Sequence, residues 1–239
     1  MTQLIPNLPN RVLASLMLAD IEMLAPHLRF VELSEGKILF EAGDAIDQVY
    51  FPHKGIVSIV AELTTGEMIE TAMIGSEGVV GGLSALDSKI SIGSAIVQIA
   101  GAASVVDVGH VRQLAEQSIG FRATLIKHEQ VLLAQSQQSA ACNATHTIEA
   151  RLSRWLLRCR DLTSSDDLPL TQEFIAQMLG VRRTSVSIVA NTLQQAGLIK
   201  YKRGHIRVLD LDGLRESACE CYASVKSLSD RLIGPAPGP

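Results

Sequence analysis

No uninterrupted apolar run in the chain reaches the roughly eighteen residues that a membrane-crossing helix needs, which argues against a helical membrane span. The opening, MTQLIPNLPNRVLASLML, lacks a basic leader followed by an apolar stretch and a cleavage site. A cytoplasmic location with free thiols is the expectation. No cysteine precedes Cys142, and Cys142, Cys159, Cys219 and Cys221 are late and scattered, so they do not read as a disulfide framework. Cys219 and Cys221 lie two apart and would not share a helix face. The histidines show no metal-ligand spacing. Neither a metal site nor a cofactor is expected, and the role of the four thiols stays open. P-loop and H-E-x-x-H motifs are missing, as is any nucleophile paired with a base, so the chain does not read as an enzyme.

What is present can bury a core. Hydrophobic residues make up 47% of the 239 and charged residues 19%, unlike disordered or collagen-like chains. The length allows one large domain or two ordinary ones. Formal net charge is -4, unevenly spread. Between 145 and 210, Arg151, Arg154, Arg158, Arg160, Arg182, Arg183, Lys200, Lys202, Arg203 and Arg207 outnumber Glu149, Asp161, Asp166, Asp167, Glu173 and Asp210. A basic module joined to a more acidic remainder suits a nucleic-acid reader with a partner domain.

Leu13, Leu16, Leu18, Ile21, Leu24 and Leu28 recur at roughly helical spacing, a short helical lead. From 31 to 108, β-type runs at 38–40, 48–51, 55–62, 68–73, 94–99 and 103–108 alternate with glycine-containing turns, the pattern of a barrel or sandwich. A long helix is then expected over 120–144. Phe121, Leu125, His128, Leu132, Gln135 and Ser139 follow one another at steps of four and three along it. On spacing alone this face packs either against its own β-rich domain or against a second copy. Thr147 is placed to cap the next helix, whose stripe of Ile148, Leu152, Trp155, Leu156 and Cys159 puts the sole tryptophan in a core. The stretch 232–239 is rich in proline and glycine and is expected to be a disordered tail.

The informative segment is 170–209, LTQEFIAQMLGVRRTSVSIVANTLQQAGLIKYKRGHIRVL. Thr171 precedes a helical pattern as its N-cap. Gly180 sits where two helices must turn sharply, with Val181 plugging the angle. A second helix from about Arg183 to Ala196 turns Val186, Val189 and Leu193 inward, with Ala190 a further candidate. Arg182, Arg183, Thr184, Ser185 and Ser187 are left around its first turn and outer face. In a helix-turn-helix this end enters the major groove, where arginine can pair with guanine O6 and N7. Gln172 can sit over a phosphate. Two short strands then flank a basic hairpin, with Lys202, Arg203 and His205 available to phosphates.

At these residues the chain resembles the Crp/Fnr family of transcriptional regulators, over about 24–209 and most closely over 170–208. The resemblance places the family's recognition arginine on Arg183, with Thr184 and Ile188 where the catabolite activator has other base-contacting residues. It implies an α+β protein. An N-terminal jelly roll of the cyclic-nucleotide-binding type (1–119) is followed by a dimerisation helix and hinge (120–146). A winged helix-turn-helix with a helical extension (147–231) completes it. It also implies a homodimer on two-fold DNA half-sites, an unidentified small-molecule effector, and RNA polymerase as a partner if the protein activates. The nucleotide cassette departs from the pattern. Gly81-Gly82-Leu83 and Gly93-Ser94-Ala95 mark the expected effector pocket. Gly82 replaces the ribose-binding glutamate, and Gly93 (or Ile92, without an insertion) replaces the phosphate-binding arginine. Cyclic AMP is therefore not the expected effector. The family's N-terminal iron–sulfur cysteines have no counterpart here. The competing reading is a ligand-binding or scaffolding β-barrel that has lost DNA binding.

Overall fold

The computed structural model describes residues 8–86 and 90–234. Two short helices, α1 (Arg11–Ala14) and α2 (Leu18–Leu24), lead into a sheet of β1 (Arg29–Leu33), β2 (Ile38–Phe40), β3 (Gln48–Glu62), β4 (Met68–Ile74) and β5 (Ser94–Asp107). Its order is β1-β5-β3-β4, with β2 also on β5, and all pairings are antiparallel. The runs expected at 48–51 and 55–62 are one strand, as are those at 94–99 and 103–108. Two glycines, Gly55 and Gly101, are bends within long strands rather than turns. Gly55 has φ +86, and a Cβ there would lie 2.5 Å from the Ile99 carbonyl oxygen. A Cβ on Gly101 would collide with the Lys54 carbonyl. The strands cross here with no room for side chains, and the register shifts beside Lys54. Strand length thus escapes the sequence pattern, while the roll it builds does not.

Helices α3 (Val108–Gln117) and α4 (Ile119–Thr145) follow, then α5 (Ile148–Thr163). Ser118 caps α4 by accepting from Phe121 N at 3.1 Å, and Thr147 caps α5 through Ala150 N at 3.3 Å. The last module comprises β6 (Asp167–Leu168), α6 (Gln172–Leu179), α7 (Arg183–Gln195), β7 (Ile199–Lys202), β8 (His205–Val208), α8 (Leu211–Ser217) and α9 (Cys221–Ile233). Its three strands pair in the order β6-β8-β7. Helix α9 continues through Leu232 and Ile233, which the sequence reading gave to the tail; 235–239 lie outside the described residues. No helix among the described residues is long and apolar enough to cross a membrane.

Among the described residues, three large apolar clusters organise the chain, beside a small one of Cys142, Cys219 and Cys221. Val57, Ile74, Val97 and Val105 fill the roll. Phe51, Val79, Leu114, Phe121 and Leu125 join it to α3 and α4. The third bridges the roll and the last module, packing Ile56, Val60, Met73 and Ile99 against Leu152, Trp155, Ile175 and Leu179. The sequence is thus used to bind the two halves to each other as well as to build each one.

The helix face expected to pair with a second copy is spent inside the protomer. Phe121, Leu125, His128, Gln135 and Ser139 are buried. His128 Nε2 accepts from Val79 N at 3.2 Å, and Gln135 Oε1 accepts from Met73 N at 3.1 Å. Burial holds the His128 imidazole down to about 4, aided by the Arg158 cation, so the ring is a neutral acceptor. Leu132 is half-buried beside the roll. The four-and-three spacing was therefore real, but it reports packing on the roll. The opposite face carries Ile119, Ile126, Leu133 and Ala140, seven apart and exposed.

Candidate nucleic-acid interface and ligand cleft

Thr171 accepts from Phe174 N at 3.2 Å and so starts α6. Gly180 ends it at φ +61, a left-handed value that glycine takes without strain. Val181 N donates to Ala176 O and Gly180 N to Gln177 O, a Schellman closure that turns the chain within two residues. Val186, Ala190 and Leu193 anchor α7 on the core, and Val181 packs against the same cluster. Arg182, Arg183 and Thr184 are therefore exposed, with Ser185 and Ser187 half-buried beside them. Gln172 is also half-buried, and its Oε1 accepts from Ser187 Oγ at 2.6 Å. The N-terminal end of α7 thus presents two guanidiniums and three hydroxyls within its first turn and a half. Ile188 follows on the same outer face, 69% exposed.

The cations divide by what they already hold. Arg158 pairs with Glu77 at 2.8 Å, Arg160 with Asp166 at 3.1 Å and Arg207 with Asp167 at 3.8 Å. Arg151 is buried and donates to the Leu179 carbonyl at the end of α6. Arg183 has a long contact of 3.6 Å with Glu173, both side chains well exposed, which water screens. Arg182, Lys200, Lys202 and Arg203 are exposed and form no ion pair among the described residues. Lys202 pairs with His205 across the two-residue turn Arg203-Gly204, so all three polar side chains stand at the hairpin tip. Position in the fold, which charge counting cannot supply, separates structural from available cations.

The module rests on the roll through a buried carboxyl. Trp155 Nε1 donates to Glu70 Oε1 at 2.8 Å and Ser58 Oγ donates to Glu70 Oε2 at 2.7 Å. Burial pushes Glu70 up to about 7 despite these bonds and the Arg154 and Arg158 charges. A carboxyl with a raised value binds a proton more tightly in the packed state than when released. Packing is then favoured in acid and loses this contribution as pH climbs from about 4.5 through about 7. The melting temperature of the parent relative to Glu70→Gln should accordingly fall between about pH 5 and about pH 8, with Trp155 emission following the same titration. An identical pH response in the Glu70→Gln protein would assign the effect elsewhere.

A cleft of about 500 Å³ opens between the roll and α4. Aliphatic and aromatic side chains dominate it: Phe40, Ile46, Ile59, Val60, Ile74, Ile90, Ile92, Leu132 and Leu133. Thr71, Ser84, Ser91 and Ser136 add hydroxyls. Of the residues expected here, Gly81, Leu83 and Gly93 line the cleft, but Gly82, Ser94 and Ala95 do not. A Cβ on Gly82 would meet Val79 and Leu125, Ser94 Oγ accepts from Ala42 N at 3.0 Å, and Ala95 is fully buried. The residue that sequence reading missed is Glu129, reaching in from α4. Burial raises its carboxyl to about 7, and the Leu83 backbone N–H donates to it. Nothing in a single sequence marks this glutamate, because it comes from a helix distant from the glycine cassette.

The last cluster was also missed. Cys142, His146, Cys219 and Cys221 bring their ligand atoms within 4.8 Å of one another. No metal site is expected from the sequence, because Cys219 and Cys221, two apart, would not share a helix face. The fold evades that objection by leaving Cys219 in the link before α9, while Cys221 is the first residue of that helix.

The family model for the cyclic nucleotide-binding domain matches residues 30–118, and that for the Crp-like helix-turn-helix domain matches 150–217. The chain is 24% identical over 193 residues to the transcriptional regulatory protein btr of Bordetella pertussis, covering 78% of this chain and 79% of that one. Among solved structures, FixK2 of Bradyrhizobium japonicum superposes with a TM-score of 0.69 at 17% identity, over 80% of this chain and 98% of the other. A regulator of the Crp/Fnr family from Eubacterium rectale gives 0.66 at 16% identity, over 84% and 94%. The chain belongs to the Crp/Fnr family: it is a DNA-binding transcriptional regulator with a cyclic-nucleotide-binding-like domain and a helix-turn-helix.

Proposed function

We propose that the protein binds two-fold DNA half-sites as a homodimer, with the first turn of α7 in the major groove and the β7–β8 hairpin on the flanking phosphates. The observation that carries this reading is the division of cations. Arg182, Arg183, Lys202 and Arg203 face solvent on one module, while Arg151, Arg158 and Arg160 are held within the protein. Gln172 supports the docked pose at the start of α6, where free backbone N–H groups also point. Thr184, Ser185 and Ser187 offer short donors, and Ile188 offers an apolar surface to a thymine methyl. In this scheme the sensor spans 1–119, the helix with its hinge 120–146, and the reading module 147–233, the last extended beyond 231 by α9.

Phosphate contacts are sequence-blind and release counterions. Lys202→Ala should weaken specific and random duplexes about equally, and it should lower the log–log salt slope by roughly one unit per lost contact, two for a dimer. Fluorescence titrations over a range of salt measure the slope. An unchanged slope would remove the hairpin from the interface.

The cleft is the effector site in this proposal, and its described lining suits an apolar ligand better than a phosphate. Among the described lining residues there is no lysine or arginine, and the one ionisable group, Glu129, is a carboxyl. A compact apolar molecule with a hydrogen-bonding or cationic group suits this lining. Glu129, Leu132, Leu133 and Ser136 belong to α4, so a ligand touches the dimer helix directly. Calorimetry should give no cyclic AMP affinity tighter than millimolar, whereas the neutral dye N-phenyl-1-naphthylamine should bind and brighten. Micromolar cyclic AMP binding that strengthens DNA binding would overturn this assignment.

A further inference from the structure

We propose that Cys142, His146, Cys219 and Cys221 form a closed tetrahedral zinc site that fastens the C-terminal helix to the hinge between the sensor and the DNA-reading module. Cys142 lies in the last turn of α4, and His146 is that helix's C-cap, its N–H bonded to the Cys142 carbonyl at 3.0 Å. Cys219 and Cys221 arrive from the far end of the chain, on either side of the start of α9. The two pairs meet face to face. Cys142 Sγ lies 3.5 Å from Cys219 Sγ, and Cys221 Sγ lies 3.5 Å from His146 Nδ1. A zinc ion with Zn–S of about 2.3 Å and Zn–N of about 2.0 Å sets ligand–ligand edges of about 3.5–3.8 Å. The four atoms therefore need only small shifts to surround an ion.

The surroundings are those of a metal site rather than of four idle side chains. His146 Nε2 lies 3.2 Å from Glu220 Oε1, which orients the ring with Nδ1 inward, as carboxylates do behind zinc-bound histidines. Gln138 Nε2 donates to Cys221 Sγ at 3.0 Å, a bond that strengthens when the sulfur is a thiolate. The Arg154 charge acts on Cys142, and Arg151 interacts with both Cys142 and Cys219. Three thiolates and one divalent ion leave a single negative charge, which these guanidiniums offset. All three cysteines are buried, so no position is left open for water, and the role is structural. Thiolates and imidazole select zinc over magnesium or calcium.

The site's place gives it a consequence. The hinge between α4 and α5 spans His146 and Thr147, and α9 packs along α4. An ion here fixes where α5, and with it the helix-turn-helix, leaves the dimer helix.

The full chain, purified under reducing conditions, should contain about one zinc per chain by elemental mass spectrometry. Titrating the thiols with a mercurial should release it. Cobalt refilling of the stripped protein should produce a thiolate charge-transfer band and the visible bands of a tetrahedral ion. Chelation should lower the melting temperature reversibly, with zinc restoring it and magnesium not. Cys219→Ala should cut the metal content; Gln138→Ala, outside the ligand set, should keep the metal yet shift the cobalt band. Stripped protein that takes up neither zinc nor cobalt at micromolar concentration would overturn the proposal. So would a native intact mass short of two hydrogens, with Cys142 linked to Cys219.

Discussion

Replacing Ile126 and Leu133 together by glutamate should leave a folded monomer whose affinity for a two-half-site duplex falls about 100- to 10,000-fold. Ile119, Ile126 and Leu133 are 85%, 44% and 59% exposed, an apolar row on a helix of 27 residues. Their spacing of seven, continued by Ala140, keeps one seam facing a parallel or crossing partner helix. The opposite face is already consumed by the roll, which leaves this seam as the face of α4 that the proposed dimer would use. Two charges inserted there would meet the same charges of the partner without compensation, and burial would make each costlier. Each monomer would then bind its half-site alone, without the effective concentration that linkage provides. Leu133 also lines the cleft, so Ile126→Glu serves as the separating control: it should loosen the dimer yet leave dye binding intact. Light scattering gives the mass, and a double variant that remains dimeric at micromolar concentration would refute the seam.

The helix-turn-helix was legible almost residue by residue. Its signals are local: a capping threonine, a left-handed glycine, and a change from charged to apolar positions over one turn. The roll was legible as a class but not in its strand lengths, because Gly55 and Gly101 signal a bend and a turn identically in one dimension. The α4 face went the wrong way for a similar reason. Periodicity identifies a buried stripe but does not say what buries it, and Gln135 and His128 turned out to serve backbone N–H groups of the roll. Glu129 and the Cys142, His146, Cys219 and Cys221 cluster were not legible at all. Each depends on elements far apart in sequence meeting in space, which no local pattern encodes.

Arg183→Ala should cost about 1–3 kcal/mol on the preferred operator and relax preference at one base-pair position per half-site. The side chain leaves the first turn of α7 exposed to solvent, and its ion-pair partner among the described residues, Glu173, is 3.6 Å away and exposed. Little holds it back from the groove, and Glu173 can be exchanged for guanine at small cost. A guanidinium takes guanine O6 and N7 together, so Arg183→Lys should restore general affinity and only part of the preference. Lys202→Ala shows the other behaviour, a loss that ignores sequence. The most direct test is selection of duplexes from a random pool by the purified parent and by Arg183→Ala, sequenced side by side. The parent should enrich two inverted half-sites about one helical turn apart, and the variant should keep that spacing while losing one base-pair preference in each half. Enrichment of a single unpaired motif, or an Arg183→Ala profile identical to the parent's, would contradict the account.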